Sequence, residues 1–146
     1  MNTSKYSAVI GANGQDGILM TRYLLKKKIK TLAITRSINN KLKNLNNKKL
    51  KIIKINQLDH KNLKIIKNYK IDNFYFFAGY SKIPVNKEEK KICIKSNYEI
   101  LKNFLFFFEK NFNKSKLLYL SSGEIFGKNQ ITSKKENSKL KGENCY

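Results

Sequence analysis

Two spacings of apolar residues alternate along this chain. Short apolar runs recur at Tyr6 to Ile10, Thr31 to Thr35, Ile52 to Ile55, Asn73 to Ala78 and Lys116 to Ser121. They are too short for buried helices and rich in β-branched or aromatic residues, which predicts five strands. Between them the apolar positions shift to helical spacing. Leu19, Tyr23 and Leu24 mark a helix over Ile18 to Lys28. Asp59 is placed to cap a helix carrying Leu63, Ile66 and Tyr69, and Leu101, Phe104, Leu105, Phe108 and Phe112 share one face of a long third helix. The Asn- and Lys-rich stretch Ser37 to Lys51 reads as a mobile loop of low complexity. Strict alternation of strand and helix predicts an α/β fold, a doubly wound parallel sheet in three layers that stops after about five strands. The Asn73 to Ala78 strand is apolar enough to be buried on both faces. Residues 1–146 read as one domain without internal repeats.

Composition adds exclusions. The chain is 40% hydrophobic and 28% charged with a single Pro, a globular balance. No apolar run approaches the ~18 residues of a membrane span, and the segment from Met1 to Gly14 lacks the basic and apolar regions of a secretory signal. A cytoplasmic chain with no membrane partner is expected. Cys93, Cys145 and His60 are too few for a disulfide framework or a metal cluster, so no metal is expected. Cys93 and the phenylalanine-rich helix face read as core.

The formal net charge of +21 invites a nucleic-acid reading. Of the 31 basic residues, however, only Arg22 and Arg36 are arginine, and the lysines are spread along the whole chain. Lys, Asn and Ile rise together, as an AT-rich coding sequence would produce. Recognition of phosphates and bases favours the bidentate fork of arginine instead. The charge therefore reads as a basic surface, with nucleic acid a disfavoured partner.

Candidate chemistry begins directly after the first strand, at Gly11, Gly14 and Gly17. Glycines in a strand-to-helix turn let the backbone approach a pyrophosphate, and the helix start offers free N–H groups. The spacing is GxxGxxG, and its place in an alternating chain points to a dinucleotide. Asp16 in this segment reads first as a helix-start residue favoured by the dipole. After the second strand comes Thr35-Arg36-Ser37, with no acid between Lys30 and Lys51. An acid there suits the ribose 2′-OH of NAD and an arginine suits a 2′-phosphate, so NADP is expected over NAD. At the end of the fifth strand, Ser122 and Glu124 place a hydroxyl and a carboxylate where open α/β sheets carry their active sites.

Together, Gly11-Ala12-Asn13-Gly14-Gln15-Asp16-Gly17, Thr35-Arg36-Ser37, Phe77-Ala78-Gly79-Tyr80-Ser81 and Ser122-Gly123-Glu124-Ile125-Phe126-Gly127 resemble the extended short-chain dehydrogenase/reductases, the NAD-dependent epimerases and dehydratases. The resemblance covers essentially the whole chain. Gly14-Gln15-Asp16-Gly17 and Arg36-Ser37 are most similar to the GDP-mannose 4,6-dehydratases. The resemblance implies a Rossmann-type NADP site formed by Gly11, Asn13, Gly14, Gln15, Asp16, Gly17, Arg36, Ser37, Asn56, Gln57, Ala78, Gly79 and Ser81. It also implies catalysis by Ser122, Glu124 and Tyr146 on a nucleotide sugar, with GDP-mannose favoured. In that scheme Tyr146 takes the proton of the sugar 4-OH, Ser122 hydrogen-bonds the same oxygen, and Glu124 removes the C5 proton as water leaves across C5–C6. Hydride passes from C4 to the cofactor and returns to C6.

Asn97 reads either as a helix residue that hydrogen-bonds a neighbouring strand, as in relatives, or as an exposed asparagine, and Ser81 and Lys82 are candidates to face the cofactor or sugar. Gly123 departs from the Ser or Thr usual there, and Cys145 from a common Pro. The lysine that partners such a tyrosine would lie beyond Tyr146. The chain is therefore expected to be the cofactor-binding portion of a longer, homo-oligomeric lyase, without turnover by itself. Three alternatives stand beside this reading: another nucleotide-sugar epimerase or reductase of the family, a non-catalytic dinucleotide-binding module, and a basic polyanion-binding protein.

Overall fold

The computed structural model describes residues 5–82, 84–127 and 133–142. Strands β1 (Tyr6–Ile10), β2 (Thr31–Thr35), β3 (Leu50–Lys54), β4 (Ile71–Phe76) and β5 (Lys116–Tyr119) form one sheet in the order β3-β2-β1-β4-β5. Every neighbouring pair is parallel. Around it lie α1 (Gln15–Lys26), α2 (Asn40–Lys43), α3 (His60–Leu63), α4 (Lys87–Ile94) and α5 (Ile100–Phe112). This is the Rossmann-like doubly wound arrangement that the alternation predicts. No helix among the described residues is long and apolar enough to cross a membrane.

Register and pleat divide the core into two. Ala8 lies beside Leu32 and Phe74, and these side chains share one face with Ile10, Ile34 and Phe76, packed against α3 and α5. Val9 and Ala33 point the other way, onto Leu24 of α1 and Leu42 of α2. Handedness explains the division. The chain steps outward from β1 through β2 to β3, then returns to β4 and β5 on the other side of β1. Right-handed crossovers in opposite directions put their helices on opposite faces. The reversal between β1 and β4 leaves a crevice above the carboxyl ends of those two strands.

Several elements differ from their sequence pattern. Helix α1 starts at Gln15, ahead of the apolar spacing, and buries Leu24 while Leu19 and Tyr23 remain exposed. The Ser37 to Lys51 stretch is more than a loop. Asn39 accepts the N–H of Leu42 at 2.9 Å to cap α2, and the fully buried Leu42 pins that turn to the sheet. Asp59 caps α3 as expected, accepting the N–H of Asn62 at 2.8 Å, but the helix tightens into a 3-10 turn over Lys64–Asn68.

The long third helix is two helices joined by a π-helical turn over Lys95–Glu99. On α5 the buried residues are Phe104, Phe107 and Phe112, whereas Leu105 is 41% exposed. The face that the spacing assigned to Leu105 belongs to Phe107. Strand β4 is buried at Ile71, Phe74 and Phe76 only. The face covered by α1 and α2 reaches it in part, so Tyr75 stays half-buried.

Candidate functional site

The chain leaves β1 and turns into α1 with almost no clearance, and two glycines make that possible. Gly11 has φ +82°, the left-handed region, and a Cβ there would lie 2.7 Å from the Ala78 nitrogen and 2.8 Å from the Phe77 carbonyl carbon. A Cβ on Gly17 would collide with the Gly11 carbonyl oxygen and lie 2.7 Å from the Ala12 Cα. Gly14 differs from both. A Cβ there would meet only the Gly11 oxygen, at 3.4 Å, an ordinary contact. Its backbone is extended, and its carbonyl accepts the Ile18 N–H at 3.0 Å as α1 begins. Gly14, Gln15 and Asp16 are exposed at that entrance. The Gly14 N–H donates to the Gly11 carbonyl at 3.0 Å, whereas the N–H groups of Gln15 and Asp16 open α1, where a helix leaves its first donors without intrahelical partners. This cradle fits a pyrophosphate.

A second wall rises from the end of β2. The Asn13 side-chain NH2 donates to the Ser37 hydroxyl at 3.3 Å, and its carboxamide oxygen accepts the Asn39 N–H at 3.1 Å. The Thr35 hydroxyl donates to the Ser37 carbonyl at 2.7 Å. These bonds fix the backbone on both sides of Arg36, whose side chain is exposed beside the glycine turn. Asn56 and Gln57 lie one strand further out, exposed after β3.

The third part lies above β4 and β5, where a cleft of about 400 Å³ is lined by Asp16, Ala78, Gly79, Ser81, Asn97 and Ser122, with Tyr98 and Tyr119 among its other walls. Asn97 sits in the π-helical turn and holds the loop after β4 at both backbone groups of Tyr80. It accepts the N–H at 2.7 Å and donates to the carbonyl at 3.1 Å. A π turn inserts one residue into a helix, and such turns mark functional positions. Here it aims the carboxamide at the loop after β4, not at the neighbouring strand that the sequence suggests. Ser122 precedes a 3-10 turn over Gly123–Phe126, and its hydroxyl accepts the Glu124 N–H at 3.2 Å.

Asp16, Ala78, Gly79, Ser81 and Ser122 thus converge on one cleft, reached from the glycine turn. Arg36 and Ser37 border the other end of that turn, while Asn56 and Gln57 line neither part. Glu124 is half-buried and is not among the cleft-lining residues. Tyr146 and Cys145 lie outside the described residues. Asn39 and Tyr98 join the site without an earlier signal. Asn39 sits in an Asn-rich stretch where one capping asparagine looks like its neighbours. Tyr98 depends on the π turn, which no periodicity shows.

A parallel sheet of this order with a glycine turn on its first strand defines a Rossmann-like α/β domain. The chain belongs to the NAD dependent epimerase/dehydratase family, whose pattern it matches over residues 8–146. No curated protein sequence matches it. Among solved structures it is similar to the UDP-N-acetylglucosamine 4-epimerase of Methanobrevibacter ruminantium M1, in complex with UDP-N-acetylmuramic acid. That match has a TM-score of 0.81 at 23% identity, over 99% of this chain and 46% of that one. The UDP-Glc/GlcNAc 4-epimerase of Campylobacter jejuni gives 0.87 at 17% identity, over 97% and 44%. The UDP-glucose 4-epimerase of Brucella ovis, in complex with NAD, gives 0.82 at 14% identity, over 97% and 43%. At these identities the likeness is one of fold. The chain spans a little under half the length of these relatives.

Proposed function

We propose that this chain is the cofactor-binding portion of an NADP-dependent nucleotide-sugar 4,6-dehydratase, with GDP-mannose as the favoured substrate. The observation that carries the reading is the wall beside the glycine turn. Asn13 ties the turn to Ser37, which sets Arg36 at the end of β2, with no carboxylate in the sequence from Lys30 to Lys51. A ribose 2′-OH calls for an acid at that place and a 2′-phosphate for a cation. Dehydration rests on Glu124, a carboxylate two residues beyond Ser122 on the same short turn.

The nicotinamide, when bound, supplies hydride acceptance from sugar C4 and hydride return at C6. The side chains manage the protons. Tyr146 takes the proton of the 4-OH, and a phenol with an ordinary pKa near ~10 needs a cationic neighbour to do so near neutrality. Ser122, on the cleft wall, hydrogen-bonds the same oxygen. Glu124 removes the C5 proton, acidified by the new C4 ketone, as the C6 hydroxyl leaves as water. A second reading, an NAD-dependent UDP-sugar 4-epimerase, is favoured by the solved relatives, and it needs no base at C5.

Parallel calorimetric titrations of the 146-residue chain with NADP+ and NAD+ test the cofactor. Saturable binding that prefers NADP+ is expected. Arg36→Ala should weaken NADP+ by roughly tenfold, as loss of a charge-assisted hydrogen bond does, and leave NAD+ nearly unchanged. Equal losses, or a preference for NAD+, would overturn the NADP assignment and favour the epimerase. In the whole protein, Glu124→Gln should lower the rate of water loss from GDP-mannose by about 10²–10⁴-fold, the contribution of a positioned general base. Sugar-nucleotide turnover that ignores this substitution would rule out dehydration through Glu124.

A further inference from the structure

Helix α1 turns one stripe away from the sheet toward α2. Ile18, Leu19 and Arg22 recur there at helical spacing, and they face Asn39 and Lys41 across a cleft of about 760 Å³ that Asn13 closes at the glycine-turn end. The walls are built rather than incidental. Asn13 binds both Ser37 and the Asn39 backbone, Asn39 caps α2, and the buried Leu42 anchors that turn to the core. No carboxylate lines the cleft, whereas a guanidinium and an ammonium do, so no opposite charge within its lining offsets its positive field. Arg22 is one of only two arginines in the chain, and the other is Arg36, beside the same Asn13–Ser37 bridge.

We infer that Arg22 and Lys41 belong to the subsite for the 2′-phosphate of NADP, so that selection against NAD rests on cations from α1 and α2 as well as on Arg36. This rests on the cofactor reading given above. The chemistry favours a phosphate monoester. It carries close to two negative charges and three acceptor oxygens, more than one arginine can satisfy. The adenosine ribose in a sheet of this order lies at the end of β2, and Asn13, which lines the cleft, donates to the Ser37 hydroxyl just past that end. The amides of Asn13 and Asn39 are already engaged and neutral, which leaves charge to Arg22 and Lys41. Both side chains are exposed, so neither carries the fold.

The test is an Arg22→Gln/Lys41→Gln double variant of the 146-residue chain, titrated calorimetrically with NADP+, NAD+ and 2′,5′-ADP after circular dichroism confirms its fold. NADP+ and 2′,5′-ADP should bind roughly tenfold or more weakly, and NAD+ should stay within about twofold. The salt dependence of NADP+ binding should also flatten. Unchanged NADP+ affinity in the double variant, alongside a loss in Arg36→Ala, would overturn the inference and leave the cofactor reading intact. Equal weakening of NADP+ and NAD+ would overturn it as well. An unsubstituted chain that binds NAD+ as tightly as NADP+ would remove the cofactor reading first, and this one with it.

Discussion

Gly17→Ala should abolish nucleotide binding and destabilise the domain by about 3 kcal/mol or more, at the upper end of what overpacking costs. Two effects oppose each other at this position. Alanine is the better helix former, by about 1 kcal/mol in a helix interior. Against that, its methyl would be driven into the Gly11 carbonyl and lie 2.7 Å from the Ala12 Cα. Both obstacles are backbone, and Gly11 is itself wedged against Phe77 and Ala78 at the end of β4, so neither can step aside cheaply. The clash outweighs the propensity. Relief requires α1 to lift away from β1, and that movement opens the cradle for the pyrophosphate. Gly14→Ala is the control, since its methyl meets only ordinary contact. It should stay within about 1 kcal/mol, the range of a Gly-to-Ala change at a helix N-cap. Denaturant unfolding followed by circular dichroism gives the stabilities, and calorimetry with NADP+ gives the affinities. A Gly17→Ala chain that folds and binds like the unsubstituted one would show that the turn is looser than its geometry.

The contrast between Gly14 and Gly17 marks what the sequence can express. Three glycines at even spacing look equivalent in the chain, yet two are demanded by close approach and one is not. At Gly11 the demand comes from where β4 ends, a non-local fact, and at Gly17 from the way the turn folds back onto Gly11 and Ala12. The strands were legible because each carries a short run of apolar, β-prone residues, which β1 and β2 bury almost throughout and β5 leaves largely exposed. Tyr6–Ile10 and Thr31–Thr35 coincide with their apolar patterns to the residue. Local capping was legible too, as Asp59 shows. Helix faces were less so: within α5 the buried Phe107 takes the place that the spacing gave to the exposed Leu105, and the π turn at Lys95–Glu99 leaves no periodic signal in the chain. The network that holds Arg36 was hidden for a different reason. Asn13 and Asn39 are 26 residues apart, and an Asn-rich composition removes the contrast that would single them out. The site was thus readable where one segment supplies it and obscure where two segments meet.

Phe104→Ala should cost about 3–5 kcal/mol, the usual toll of emptying a buried aromatic site. Against a total stability of roughly 5–15 kcal/mol for a domain, that takes the chain close to unfolding. Phe104 is fully buried and stands between α5 and the sheet, with ring centroids 4.9 Å from Phe76, 5.8 Å from Phe74 and 6.1 Å from Phe108. Its loss strips the hinge of the aromatic cluster, because Phe74 and Phe76 both lean on it from β4. Phe104→Leu keeps most of the volume and should cost about 1–2 kcal/mol, which leaves a folded protein to measure. The pair separates packing from chemistry. In Phe104→Leu the melting temperature falls while NADP+ affinity of the folded chain holds, since Phe104 lies in the core and lines no part of the nucleotide site. Gly17→Ala loses binding even where it remains folded. If Phe104→Leu instead lowered affinity in step with stability, the aromatic layer would be setting the position of the Ala78–Gly79 loop. The cleft above β4 would then be only as rigid as the phenylalanines beneath it.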